Sequence, residues 1–353
     1  MLHAELQQLG LTPFFSQQIS EWEMDNCYLV RVIEVQRSGL KVCDGIDEWQ
    51  AAAGQTAQAL RTEERPTVGD WLLLDKSKSK VERVLERKSL FSRVAAGEKL
   101  QVQAIAANVD TLFVVTSCND EFNESRLERY LALAVEARVD PIVVLTKADL
   151  TTDQGSYETR ARAVVPGIPV ETVNALVPAS LDGLRAWIQP GTTIALVGSS
   201  GVGKSTLVNT LSADSRAQTA AIRDDDAKGR HTTTFRSLHR LPNGGLLIDV
   251  PGMRELKIAE VDASLRTVFG EIEALAEKCR FKNCSHDSEP GCAVREALES
   301  GEIDIRRWNN YRKLLKENAQ RNRSLAEQRA QGRKFMMDAK QLMKAKRDLG
   351  QKR

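Results

Sequence analysis

The chain has 353 residues, 50 Lys/Arg, 48 Asp/Glu and 42% hydrophobic residues, a length that one core rarely organises, so two or three domains are expected. It holds no run of about 18 apolar residues and no charged-then-apolar leader, which argues against a membrane span or secretory signal and for the cytoplasm. The net charge of +2 is segregated, because residues 303–353 carry 16 Lys/Arg against 5 Asp/Glu and leave about −9 on the rest, a basic arm on an acidic chain.

From about residue 25 to 90 the pattern is one of brief strands at Tyr28–Val35, Leu40–Cys43, Thr56–Leu60, Trp71–Asp75 and Val81–Arg87, punctuated by Gly39, Gly45 and the Gly69-Asp70 pair. Five short strands with such turns predict a small barrel, either OB-type, which the pattern favours, or SH3-like. From about residue 100, strands alternate with helices. Thr111–Thr116 and Pro141–Leu145 are apolar strands, and Leu127, Leu131, Ala134 and Val135 recur at helical spacing between them. That alternation predicts an α/β unit with a buried parallel sheet.

The strand ending at Leu145 delivers Thr146-Lys147-Ala148-Asp149, a close relative of the N-K-x-D guanine reader. A carboxylate at Asp149 can accept from guanine N1–H and its 2-amino group, a pairing adenine does not offer, so GTP is expected over ATP. Thr146 stands where Asn is commoner, which weakens one side-chain bond to the base-binding loop and leaves the discriminating carboxylate. Asn174-Ala175, about 25 residues further on, occupies the place of the base-contacting S-A dipeptide, with Asn for the usual Ser.

Gly198-Ser199-Ser200-Gly201-Val202-Gly203-Lys204-Ser205 follows a strand at Thr193–Val197 and precedes a helix opening at Thr206, the strand-loop-helix context a P-loop requires. Backbone N–H groups and the helix N-terminus are expected to cradle phosphates, with Lys204 on the outer phosphates and the Ser205 hydroxyl on Mg²⁺. Residues 229–234 form a polar loop in which Thr233 or Thr234 is the candidate second Mg²⁺ hydroxyl. A strand at Leu246–Asp249 then leads into Val250-Pro251-Gly252, so that Asp249 can hold a Mg²⁺ water and the Gly252 N–H can meet the γ-phosphate. Many GTPases follow that glycine with a water-positioning Gln. Here Met253-Arg254-Glu255 follows, which makes His231 in the polar loop the candidate for orienting water.

Ordinary GTPases carry the phosphate motifs first and the base motifs last. The order is reversed here, as in a circular permutation. Downstream, Cys279, Cys284, His286 and Cys292 fall within fourteen residues, three thiolates and an imidazole that suit one closed, structural zinc ion. The arm from Arg306 is helical in composition and basic through nearly every turn, with Trp308, Tyr311 and Phe335 available for packing or stacking, and contact with RNA phosphates is expected.

The barrel, the permuted motif order and the cysteine knot together resemble the ribosome small subunit-dependent GTPase A family, RsgA, over essentially the whole chain. The resemblance implies an N-terminal leader and OB-type β-barrel over residues 1–98, a circularly permuted α/β P-loop GTPase domain over 99–271 and an α-helical zinc-binding domain with a basic tail over 272–353. It also implies hydrolysis of GTP to GDP, stimulated by the small (30S) ribosomal subunit during its late maturation, through contact with 16S rRNA. A monomer with no membrane attachment is expected. A rival from another class is an RNA-binding scaffold in which GTP acts as a latch and hardly turns over.

Overall fold

The structure, a computed structural model, describes residues 2–36, 39–54, 60–95, 101–164, 166–213, 236–249 and 261–320. In the N-terminal part, strands β1 (Tyr28–Val35), β2 (Leu40–Cys43), β3 (Glu48–Ala51), β4 (Trp71–Leu74) and β5 (Val81–Val84) form antiparallel ladders. β1 pairs with both β2 and β4, β2 with β3, and β4 with β5, while a parallel bridge from Ala52 to Lys80 closes the ring in the order β1-β2-β3-β5-β4. Val30, Val32, Leu40, Val42, Ala51, Leu72, Leu74 and Val81 fill its interior. Their alternation along the strands is what puts them on one face.

Two features of this region differ from the sequence expectation. The third barrel strand is Glu48–Ala51, whereas most of the expected strand at 56–60 lies outside the described residues. An extra ribbon, β6 (Leu90–Ala95) with β7 (Gln101–Ala107), follows the barrel. The expected seam at 98/99 falls within 96–100, between these two paired strands, and the seam at 271/272 falls inside helix Gly270–Ala276.

The second part has strands β8 (Thr111–Ser117), β9 (Asp140–Thr146), β10 (Val170–Thr172), β11 (Thr193–Val197), β12 (Arg236–Arg240) and β13 (Leu246–Asp249). Their spatial order is β10-β9-β8-β11-β13-β12; the first five run parallel and β12 is antiparallel to β13. Every residue of β8 is buried because helices cover both faces, as a parallel sheet demands. Helix Glu124–Ala137 begins where the Asn123 side chain accepts the Arg126 N–H at 2.9 Å and ends at Arg138 in the left-handed region. Its Leu127, Leu131 and Ala134 are buried, each of the two leucines contributing about 1.5–3 kcal/mol.

Two devices join barrel and sheet. The end of β1 pairs with β12 at Glu34–Ser237 and Val35–Arg236, after a register shift between Val32 and Glu34. Arg31, 1% exposed, donates to the carbonyls of Gly69 (3.2 Å), Asn108 (3.1 Å) and Leu9 and to the Thr193 hydroxyl (2.9 Å). Its guanidinium therefore binds the leader, the barrel and the foot of β11 at once. Burial pulls its pKa down to about 10, still far above neutrality, so the cation is retained.

Beyond the sheet come helices Val261–Val268, Gly270–Ala276 and Ala293–Ser300 and a helix over 305–320. The basic tail from 321 onward lies outside the described residues.

Candidate functional site

The carboxyl ends of β8, β9, β11 and β13 point to one edge of the sheet, the edge at which open α/β folds bind ligands. β11 runs out at Val197 into Gly198, where an added Cβ would sit 2.2 Å from the Val115 carbonyl of β8, so only glycine lets the chain cross there. Gly201 (φ 80°) and Gly203 (φ 91°) are left-handed, and helix Lys204–Ser212 starts directly after them. The Lys204 ammonium donates to the carbonyls of Gly198 at 2.9 Å and Ser199. Ser200 and Ser205 are exposed, Thr206 is half-buried, and Val202 is packed into the core beneath the loop.

Thr146, wholly buried at the end of β9, reaches across to this loop. Its hydroxyl lies 2.5 Å from the Val202 carbonyl and 3.1 Å from the Thr116 carbonyl of β8. The sequence suggested that Thr in place of Asn weakens a side-chain bond to the base-binding loop; in the structure the shorter side chain ties the base-side strand to the phosphate-side loop. Gly203 faces it, with room for a Cβ only at 3.4 Å from the Thr146 hydroxyl.

Lys147 is left-handed (φ 56°), and the short turn Ala148–Leu150 leaves Asp149 exposed at the rim while Ala148 is buried. Asn174 uses its side chain locally: Oδ1 accepts the Leu176 N–H at 3.0 Å, while its own N–H donates to the Ser180 hydroxyl at 2.8 Å. The Ala175 carbonyl accepts from Thr210 of helix Lys204–Ser212 at 2.6 Å. The two base-side segments, 146–149 and 174–175, are thereby fastened to the phosphate loop and its helix. Asp249, half-buried, ends β13 beside β11. His231, Thr233, Thr234 and Gly252 lie outside the described residues.

One neighbour of the loop carries no sequence signal. Arg126, in the first turn of helix Glu124–Ala137, donates to the Ser199 hydroxyl and lies 3.5 Å from Glu121. Two residues on, Glu128 is buried with no exposed surface and accepts from Arg306 (3.1 Å), Arg307 (3.0 Å) and Asn310 of helix 305–320.

The metal-ligating set comes together as expected. The ligand atoms of Cys279, Cys284, His286 and Cys292 all lie within 4.8 Å of one another. Around a tetrahedral zinc, bond lengths near 2.3 Å to sulfur and 2.0–2.1 Å to nitrogen put S···S edges at about 3.8 Å and S···N edges at about 3.5 Å. The Cys279–Cys292 separation is 3.9 Å, and both sulfurs are 3.5 Å from His286 Nδ1. The donors fit. Cys292 also caps helix Ala293–Ser300 by accepting the Arg295 N–H at 3.4 Å, and the Glu289 carboxylate accepts the N–H groups of Ser285, Asp287 and Ser288 in the loop between ligands. The Ser285 hydroxyl, which donates to the same carboxylate at 2.5 Å, and after it the backbone N–H groups hold the Glu289 carboxyl down at about 2.

Comparison with known proteins agrees with this geometry. A family model described as RsgA GTPase matches residues 84–259. The Small ribosomal subunit biogenesis GTPase RsgA 2 of Vibrio parahaemolyticus is 48% identical over 343 residues, covering 97% of this chain and 94% of the relative. The RsgA of Mesorhizobium japonicum is 45% identical, over 89% and 90% of the two chains. Among solved structures, YjeQ from Thermotoga maritima superposes with a TM-score of 0.60 at 24% identity, covering 83% of this chain and 99% of that one. YloQ, described as a circularly permuted GTPase, superposes with a TM-score of 0.57 at 23% identity, covering 84% and 96%. These two likenesses concern the fold.

Proposed function

The chain belongs to the RsgA GTPase family, and from that premise we propose that it hydrolyses GTP when bound to the small (30S) ribosomal subunit late in that subunit's maturation. The observation that carries the nucleotide reading is the 2.5 Å bond from Thr146 to Val202, which joins a T-K-x-D turn to a P-loop at one sheet edge. Binding of the ribosome and its RNA follows from the family, and the basic composition of 303–353 suits contact with 16S rRNA phosphates.

In this reading the N–H groups of 199–204 and the helix N-terminus receive the β- and γ-phosphates, and Lys204 turns from its loop carbonyls to the phosphate oxygens. Ser205 and Asp249, with Thr233 or Thr234, would hold the Mg²⁺ of the nucleotide, which supplies charge neutralisation on those oxygens. A water oxygen bonds to the γ-phosphorus while the bond to the β–γ bridging oxygen breaks, giving phosphate and GDP. His231 orients that water, and the Gly252 N–H meets the γ-phosphate. Asp149 accepts from guanine, with Lys147, Ala148, Asn174 and Ala175 framing the base. We take the protein as a cytoplasmic monomer; no described helix is long and apolar enough to cross a membrane.

The test is GTP hydrolysis with and without purified small subunits, with Lys204→Ala as the blank. Stimulation of at least about tenfold is expected, because a partner that completes a GTPase site commonly supplies far more. Equal rates would favour the latch-like scaffold.

Two substitutions probe base recognition. Asp149→Asn exchanges a charged acceptor for an amide and should cut the preference for GTP over XTP by about ten- to a hundredfold in competition binding; an unchanged preference removes Asp149 from the base site. Thr146→Val keeps shape and loses the hydroxyl, so that the Val202 carbonyl, the nearer of the two acceptors at 2.5 Å, loses its side-chain donor. It should weaken labelled-GDP binding by about 1–2 kcal/mol, whereas Thr146→Ser should stay near wild type. Equal losses in both would assign the effect to packing.

A further inference from the structure

Helix Glu124–Ala137 is gripped from two sides within its first two turns. At about 100° per residue, positions 126 and 128 point about 200° apart, so their side chains serve opposite neighbours. Arg126 meets the Ser199 hydroxyl in the phosphate loop. Glu128 meets Arg306, Arg307 and Asn310 of helix 305–320, and one residue on Arg129 donates from a single guanidinium nitrogen to both carboxylate oxygens of Glu317 at 2.7 and 2.8 Å. Ser199 is itself held twice, its hydroxyl by Arg126 and its carbonyl by the Lys204 ammonium.

We propose that Arg126 is a positioning residue of the phosphate loop and that helix 305–320 sets its place through the helix that both contact. The proposal rests on the GTPase reading given above and adds a residue and a route to it. An exposed Arg–Glu pair such as Arg126–Glu121, with the two side chains 40% and 50% exposed, contributes little to stability. A charged donor on a loop hydroxyl is different, because it fixes where the Ser199 carbonyl stands and hence how readily Lys204 leaves it for phosphate. The opposite face of the helix is fixed by a buried carboxylate with three donor side chains, so the first two turns move with helix 305–320 rather than independently of it. A partner that displaces the C-terminal helix is then felt at Ser199 without passing through residues 250–260.

The experiment uses the full chain and a double-mutant cycle of Arg126→Met and Ser199→Ala, read as single-turnover GTP hydrolysis, KM, GDP affinity and melting temperature. Each single variant should lower kcat by about three- to tenfold, with KM within about twofold and melting within about 2 °C. The double variant should be no slower than the slower single. Arg126→Lys, which keeps the charge and a donor, should recover most of the rate. Arg306→Ala should lower kcat about twofold where Arg126 is present and have no effect in Arg126→Met. Multiplying factors in the cycle, wild-type rates in both singles, or an equal effect of Arg306→Ala in the two backgrounds would each overturn the proposal. A wild-type chain that does not turn over would instead defeat the GTPase reading; the same cycle, read as affinity for a non-hydrolysable GTP analogue, then decides the contact by whether the two effects are additive.

Discussion

Glu128→Ala is expected to destabilise the packing of the C-terminal helix by about 3–5 kcal/mol, the usual cost of removing one partner from a buried ionic cluster. The carboxylate has no exposed surface and its Oε1 accepts from both Arg306 and Arg307, while Oε2 accepts from Asn310. Removing it leaves two guanidiniums facing each other across a hole. Arg307 keeps partial compensation from Glu271 and from the carbonyls of Val164 (2.9 Å) and Val268 (2.6 Å), whereas Arg306 keeps the neutral Ser125 hydroxyl at 3.1 Å on that helix. Denaturant unfolding followed by the emission of Trp308, 4% exposed on the same helix, reads the effect. Glu128→Gln should fall between wild type and alanine, since it keeps the shape and one acceptor while losing the charge. A shift below about 1 kcal/mol for alanine would show that the cluster is replaceable by water.

The parts of this molecule that were legible in the sequence are those whose signal is local. The boundaries of β1, β2, β11 and β13 match the sequence pattern because apolar residues alternate or run together between Gly, Asp and Pro turns. The motifs at 146–149 and 198–205 were legible because each needs a fixed residue order along one turn. Glu48–Ala51 was not, because Glu48 and Gln50 on the outer face give it the look of a polar loop and its pairing with β2 is what makes it a strand. Glu128 reads in sequence as one more solvated helix charge. Its burial is created by residues 178 to 182 positions away, and nothing near it in the chain announces that. Arg31, whose Thr193 partner is 162 residues distant, is hidden for the same reason.

Withdrawing zinc is expected to have the largest effect of all, and a selective one. Residues 279–292 include a non-glycine residue, His286, in the left-handed region at φ 61°, a conformation costing about 1–2 kcal/mol that the surroundings must offset. Few apolar side chains are available there to do it, and Phe281 is 42% exposed. Zinc coordination supplies about 10–16 kcal/mol in small zinc-dependent peptides, so most of the folding energy of this knot is expected to come from the ion. The loss spreads in two directions. Cys292 caps helix Ala293–Ser300, and the His286 ring stands edge-on to Trp308 at 5.8 Å, so both that helix and helix 305–320 lose a support. The phosphate loop is built on β8, β9 and β11 and keeps its bonds from Thr146 and Lys204. Chelation or Cys284→Ser should therefore leave labelled-GDP binding within about threefold of wild type while exposing the chain after residue 276 to limited proteolysis and shifting Trp308 emission to the red. Acid should act like a chelator, because protons compete with the metal for thiolates and imidazole, and release should increase as pH falls. Metal analysis should give one zinc per chain before treatment. A metal-free chain as protease-resistant as the loaded one would mean that apolar packing alone folds the knot, and a loss of GDP binding in step with the metal would mean that the phosphate loop depends on the C-terminal module far more than Arg126 and Glu128 allow.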